Sequence, residues 1–138
     1  SFQEFSQRYA DVGDLGYPYE LKDCRMQDKK NRQNSIEMDK NTLLAQHWFQ
    51  QQKRVIDVAS SAYKWALDQG IAKEQARAVL PEGLTISRMY MQGSVRSWIH
   101  YIHLRSSVET QKEHRAIAVE CAKCIECVFP MIKEFVHE

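Results

Sequence analysis

From Thr42 to Gln69 the chain runs without a single proline or glycine. At about 100° per residue, Leu44, Trp48, Val55, Val58, Ala59, Ala62 and Ala66 fall along one stripe, so this stretch is read as one long amphipathic helix. Asn41 or Asp39 stands where an N-cap is needed, and Gly70 is placed to end the helix. His47 beside Trp48 reads as structural, since one histidine next to an apolar stripe more often packs than binds.

Around this helix the rest of the chain is punctuated more densely. Ser1 to Val12 reads as a strand whose one face carries Phe2, Glu4, Ser6 and Arg8. A carboxylate, a hydroxyl and a guanidinium in register suit a polar ligand, and equally suit a solvated edge. Gly13 to Ser35 reads as a loop, with Gly13, Gly16 and Pro18 as breakers and a charged stretch from Arg25 to Arg32. Its Lys29, Lys30 and Arg32 are offset by Asp23 and Asp28, with no aromatic residues between them, which marks solvated charge rather than a phosphate track.

Lys73 to Leu80 forms a short second helix that Pro81 must stop, because proline lacks the amide donor and clashes with the preceding turn. Glu74 and Arg77 are neighbours on it, a pair that also fits a surface ion pair of little energetic weight. Thr85 to Gln92 reads as a strand broken by Gly93. Ser94 then caps a helix with Val95, Trp98, Ile99 and Ile102 on its apolar side. Thr110 to Phe129 forms another helix, and Pro130 separates it from a last one reaching about Val136. The class is α+β: a mostly helical chain with one or two strands that belong to an antiparallel sheet, helices packed around it. So few strands need partners, expected from sequence outside these residues or from another subunit.

The 138 residues carry a formal charge of +1, so no global field recruits nucleic acid or a membrane. The longest apolar runs fall short of the roughly 20 residues a membrane span needs. Four cysteines do not make a disulfide scaffold in a chain this size, and a cytoplasmic location is expected. Cys121, Cys124 and Cys127 form a C-x-x-C-x-x-C run, but within a continuous helical pattern; they read as buried small apolar residues, and no metal is expected.

The arginines of the segment Gln75 to Arg105 carry most of the chemistry. Nine residues separate Arg96 from Arg105, so at about 100° each they stand on roughly opposite sides of one helix. They serve two anionic ligands, a ligand and a partner subunit, or simply solvent.

Three ordered motifs resemble the flavin-dependent thymidylate synthases. SFQEFSQRY looks like the second half of that family's signature, Arg-His-Arg followed by Ser-x-Asn-Glu-x-Ser-x-Arg-Tyr. ARAVLP is similar to its Ala-Arg-x-x-Leu-Pro. GSVRSWIHYIHLR followed by TQKEHRAIA looks like its C-terminal ligand-binding helix and the next one, and CRMQDKKNRQNS is similar to a loop of some members.

The resemblance implies that Glu4, Ser6, Arg8 and Arg77 hold deoxyuridine monophosphate (dUMP), and that Arg105 faces the uracil ring as the catalytic arginine, favouring loss of its N3 proton. It implies that Glu4, Ser94, Arg96 and His100 lie along FAD. The implied reaction is reductive methylation of dUMP at C5, with methylenetetrahydrofolate as one-carbon donor and NADPH as reductant, in a homotetramer that shares sites between subunits. That family uses no nucleophilic cysteine, which agrees with cysteines that lack an activating neighbour.

Gln3 and Ser94 depart from the pattern, each standing where the family has or often has Asn. The Arg-His-Arg half of the signature does not occur here, and the chain begins on Ser rather than Met. The expectation is therefore a single domain over residues 1–138, the C-terminal portion of such an enzyme, keeping the nucleotide-binding half and binding FAD weakly or not at all. The competing readings are a non-catalytic nucleotide-binding or oligomerisation module and, from the cysteine run, a helical metal-binding protein.

Overall fold

The computed structural model describes residues 2–4, 18–32 and 34–137. They fall into two compact units, one of residues 2–24 and 38–91, the other of residues 25–37 and 92–138.

The first unit is organised on helix α1, Leu43–Asp68. Its cap is Thr42 rather than Asn41 or Asp39: the Thr42 hydroxyl accepts the Ala45 amide at 3.2 Å. The carboxylate of Asp39 takes the Asn41 amide instead, shaping the turn before the cap. Gly70 ends the helix as expected, in the left-handed conformation at φ 76, which glycine adopts without a Cβ penalty.

The buried line of α1 is Ala45, Gln52, Ile56, Ala59, Tyr63 and Ala66. This corrects the expected stripe, of which only Ala59 and Ala66 are buried, while Leu44, Trp48, Val55 and Val58 are exposed. The apolar arc of α1 is wider than one stripe, and its covered edge includes a polar residue that a count of apolar positions passes over. Gln52 is 3% exposed because its amide satisfies both backbone groups of Lys22. Tyr63 and Ala66 pack with Ala76, joined by Leu67 and Leu80.

Helix α2, Lys73–Ala76, tightens into a 3₁₀ turn, Arg77–Val79. Leu80 then turns extended ahead of Pro81, as a residue preceding proline must. The expected strand Thr85–Gln92 is shorter than the residue types suggest. Both the amide and the hydroxyl of Thr85 turn back to the Pro81 carbonyl, at 2.9 and 2.7 Å, leaving a single bridge to Tyr19 before the strand proper at Met89–Met91.

That strand (β4) pairs antiparallel with β1, Phe2–Glu4, in the register Phe2↔Met91, Gln3↔Tyr90 and Glu4↔Met89. The partner of the first strand is thus in the same chain, contrary to the expectation of an outside one. Residues 5–12 of the expected first strand lie outside the described residues.

The second unit contains a hairpin where a loop was expected: β2, Arg25–Gln27, pairs antiparallel with β3, Ser35–Glu37. Strands of three residues are too short to print an alternation. Asp28 shapes the connection by accepting the amides of Lys30 and Asn31, at 2.8 and 3.2 Å. Lys29, Lys30 and Arg32 are exposed, as solvated charge should be. Arg25 pairs with Glu113 and Lys112 with Glu37, fastening the hairpin to a helix much later in the chain.

That helix is α4, Lys112–Glu126, which follows α3, Val95–Arg105. A 3₁₀ segment, Pro130–Phe135, closes the unit. Ile102 and Ile132 are fully buried with Ala122, and Ile99, Ile125 and Phe129 pack around them. Burying each such side chain contributes about 1.5–3 kcal/mol relative to exposure.

Of the cysteine run, Cys121 is half-buried while Cys124 and Cys127 are exposed, which corrects the buried reading. Helix α4 packs through the smaller Ala118 and Ala122, so Cys124 and Cys127 are turned outward.

Candidate functional site

Helix α3 begins where Ser94, in extended conformation, accepts the Ser97 amide at 3.2 Å. The two hydroxyls also meet at 3.0 Å. The Ser94 hydroxyl is therefore already engaged as the cap predicted for it.

Four residues apart, Arg96 and His100 share one side of α3, and both are exposed. Arg105 closes the helix, also exposed, and its guanidinium makes no hydrogen bond or ion pair among the described residues. It borders a cavity of about 590 Å³ together with His103, Thr110, Gln111, His114 and His137.

Tyr101 stands between Trp98, in an edge-on contact at 5.7 Å, and His114, tilted at 5.6 Å. Burial pushes the Tyr101 phenol above its usual range, as does the Cys121 thiol, while the Arg105 charge works the other way. The phenol thus stays neutral beside a permanent cation. The Cys121 thiol is pushed up chiefly by burial, and by Cys124 and Glu120. A raised pKa leaves little thiolate at neutral pH, so this cysteine is a poor nucleophile.

In the first unit Arg77 opens the 3₁₀ turn, exposed, with its carbonyl accepting the Leu80 amide at 3.0 Å. Glu4 is exposed on β1, and its carboxylate accepts the Ser87 hydroxyl at 2.7 Å. Reading motifs alone missed Ser87: the signal for it is the pairing register of β1 with β4. Ser6 and Arg8 lie outside the described residues. The structure thus gathers Ser94, Arg96, His100 and Arg105 on one helix, joins Glu4 to Ser87, and puts Arg77 in the same unit as Glu4.

Among the described residues no three His, Cys, Asp or Glu side chains gather as metal ligands, and no helix is long and apolar enough to cross a membrane.

Comparison with known proteins places these features in a family. The family profile described as "Thymidylate synthase complementing protein" matches residues 1–131. The chain is 47% identical over 134 residues to the flavin-dependent thymidylate synthase of Synechocystis sp., covering 96% of this chain and 59% of that protein. It is 43% identical over 134 residues to the probable flavin-dependent thymidylate synthase of Paramecium bursaria Chlorella virus 1, covering 95% and 58%.

Among solved structures it resembles the UMP/dUMP methylase PolB from Streptomyces cacaoi bound with 5-Br UMP. The TM-score is 0.80 and the identity 26%, over 98% of this chain and 62% of that one. The chain therefore spans less than two thirds of the length of each of these proteins. With nearly its whole length matched by the family profile, the chain belongs to the thymidylate synthase complementing proteins, the family of the flavin-dependent thymidylate synthases.

Proposed function

We propose that the polypeptide carrying these residues is a flavin-dependent thymidylate synthase: it methylates dUMP to dTMP, taking the one-carbon unit from methylenetetrahydrofolate. The observation that carries this reading is the two-sided helix α3. In a chain 47% identical to a named flavin-dependent thymidylate synthase, it exposes Arg96 and His100 on one side and Arg105 on another.

The donor set suits FAD. A guanidinium and an imidazole on one exposed helix side, with Ser94 at the helix start, match the pyrophosphate and ribose oxygens of a flavin dinucleotide. When bound and reduced by NADPH, FAD supplies the hydride.

The protein's own residues hold and polarise the substrate. Glu4, Ser6, Arg8 and Arg77 bind dUMP, the arginines with planar forks that match phosphate oxygens in pairs. Glu4 also lies along the flavin. Arg105, uncommitted to any protein partner among the described residues, faces the uracil ring, where it favours loss of the N3 proton and stabilises the charge that follows. The residues contributed by separate segments meet in a homotetramer in the cytoplasm, with sites shared between subunits.

Anaerobic turnover of the purified full polypeptide tests this. With dUMP, methylenetetrahydrofolate, FAD and NADPH, dTMP is expected, and omission of FAD abolishes it. A protein that binds dUMP but forms no dTMP and takes up no flavin would overturn the reading in favour of a non-catalytic nucleotide-binding module. UMP is assayed alongside, because the structural neighbour PolB is described as a UMP/dUMP methylase.

A further inference from the structure

The residue after Arg105 is the most deeply buried polar side chain among the described residues: Ser106 is 1% exposed. It is the C-cap of α3, and its amide donates to the Ile102 carbonyl at 2.9 Å. Its hydroxyl oxygen accepts the backbone amide of His137 at 3.0 Å, across 31 residues of chain. Val136, the residue before His137, packs on the cluster of the fully buried Ile102 and Ile132. The ring of His137 also lies against the ring of His103, at 4.6 Å between centroids.

The last turn of a helix frays, because its carbonyls lack intrahelical donors. Arg105 is in that turn, exposed, and no side-chain partner among the described residues fixes its guanidinium. The direction in which Arg105 leaves the helix is then set by its backbone, and the nearest tertiary constraint on that backbone is Ser106 held to the chain's closing segment. We propose that Ser106 is a positioning residue for Arg105: through the His137 amide it makes the end of α3 rigid and aims the guanidinium into the cavity that Arg105 borders. The inference rests on the reading of Arg105 as the residue that meets the pyrimidine.

A double-mutant cycle in the full polypeptide tests it, with dUMP as the probe and its Kd read by calorimetry. Ser106→Ala is expected to weaken dUMP about 3- to 10-fold, the size of one lost neutral hydrogen bond. In an Arg105→Ala background the same change is expected to have no further effect.

A second variant leaves Ser106 and Arg105 intact. His137→Pro removes the amide donor, and Val136 already has the extended backbone that a following proline requires. It is expected to reproduce the loss seen with Ser106→Ala.

An unchanged Kd in both Ser106→Ala and His137→Pro, or a loss that persists undiminished without Arg105, overturns the proposal. If Arg105→Ala alone leaves dUMP binding unchanged, the reading of Arg105 fails, and this inference with it. If Arg105→Ala weakens binding while the Ser106 effect is additive, only the positioning role fails.

Discussion

Gln52 and Lys22 exchange two hydrogen bonds: the Lys22 amide donates to Gln52 Oε1 at 2.7 Å, and Gln52 Nε2 donates back to the Lys22 carbonyl at 2.9 Å. The side-chain amide thus does for an extended segment what a neighbouring strand would do, inside a helix that otherwise buries apolar groups. Trp48 adds a third contact, donating its indole N–H to the same carbonyl at 3.1 Å.

Replacing Gln52 with Leu keeps the volume but strips the Lys22 amide of its partner, while the Lys22 carbonyl keeps the Trp48 indole. A buried backbone group left unmatched costs about 1–3 kcal/mol, and the variant is expected to lose about that much. Urea denaturation followed by far-UV circular dichroism measures this, and a loss under about 0.5 kcal/mol, as for an ordinary surface change, would contradict it.

Ile102 is fully buried between α4 and the closing 3₁₀ segment. Truncation to Ala leaves a cavity in that core and is expected to cost about 2–5 kcal/mol. Hydrogen exchange is expected to show the loss first at the end of α3, next to Arg105. A variant with native protection there would show that this core does not hold the helix end.

The pH dependence of stability has a defined sign at the alkaline end. Burial raises Cys121 above 9.0 and Tyr101 above 10.0, so the unfolded chain releases these protons before the folded one does. Their contribution is fully present below those values and is lost as pH rises through the raised folded ones. Denaturation midpoints measured from pH 8 to 11 are expected to fall, and to fall less in a Cys121→Ala, Tyr101→Phe variant. At pH 8 a thiol reagent is expected to modify Cys124 before Cys121.

Asp28 titrates in the opposite direction. The amides of Lys30 and Asn31 hold its carboxyl below 3.8, so its contribution is present above that value and lost as pH falls through the lower folded one. Asp28→Ala is expected to loosen the β2–β3 connection, read as faster amide exchange at Lys30 and Asn31. Unchanged exchange at both would count against the role.

Much of this molecule was legible from residue types. The extent of α1, the cap at Ser94 and the stop at Pro81 follow from where glycine, proline and small polar side chains stand. What was not legible depended on partners far away in sequence. The buried line of α1 turns on Gln52 meeting Lys22, thirty residues earlier, and the β2–β3 hairpin turns on pairing between strands too short to alternate.

The site shows the same division. Motifs pointed to Arg77, Arg96, His100 and Arg105, whereas Ser87 beside Glu4 and Ser106 beneath Arg105 emerged only with the register and the tertiary hydrogen bonds.

Calorimetric titration of dUMP into the full polypeptide and its Arg105→Ala variant tests the central claim most directly. A charge-assisted hydrogen bond contributes about 1.5–3 kcal/mol, so the variant is expected to bind dUMP about 10- to 100-fold more weakly, with its flavin content unchanged. Equal affinity in the two proteins would contradict the assignment of Arg105 to the pyrimidine.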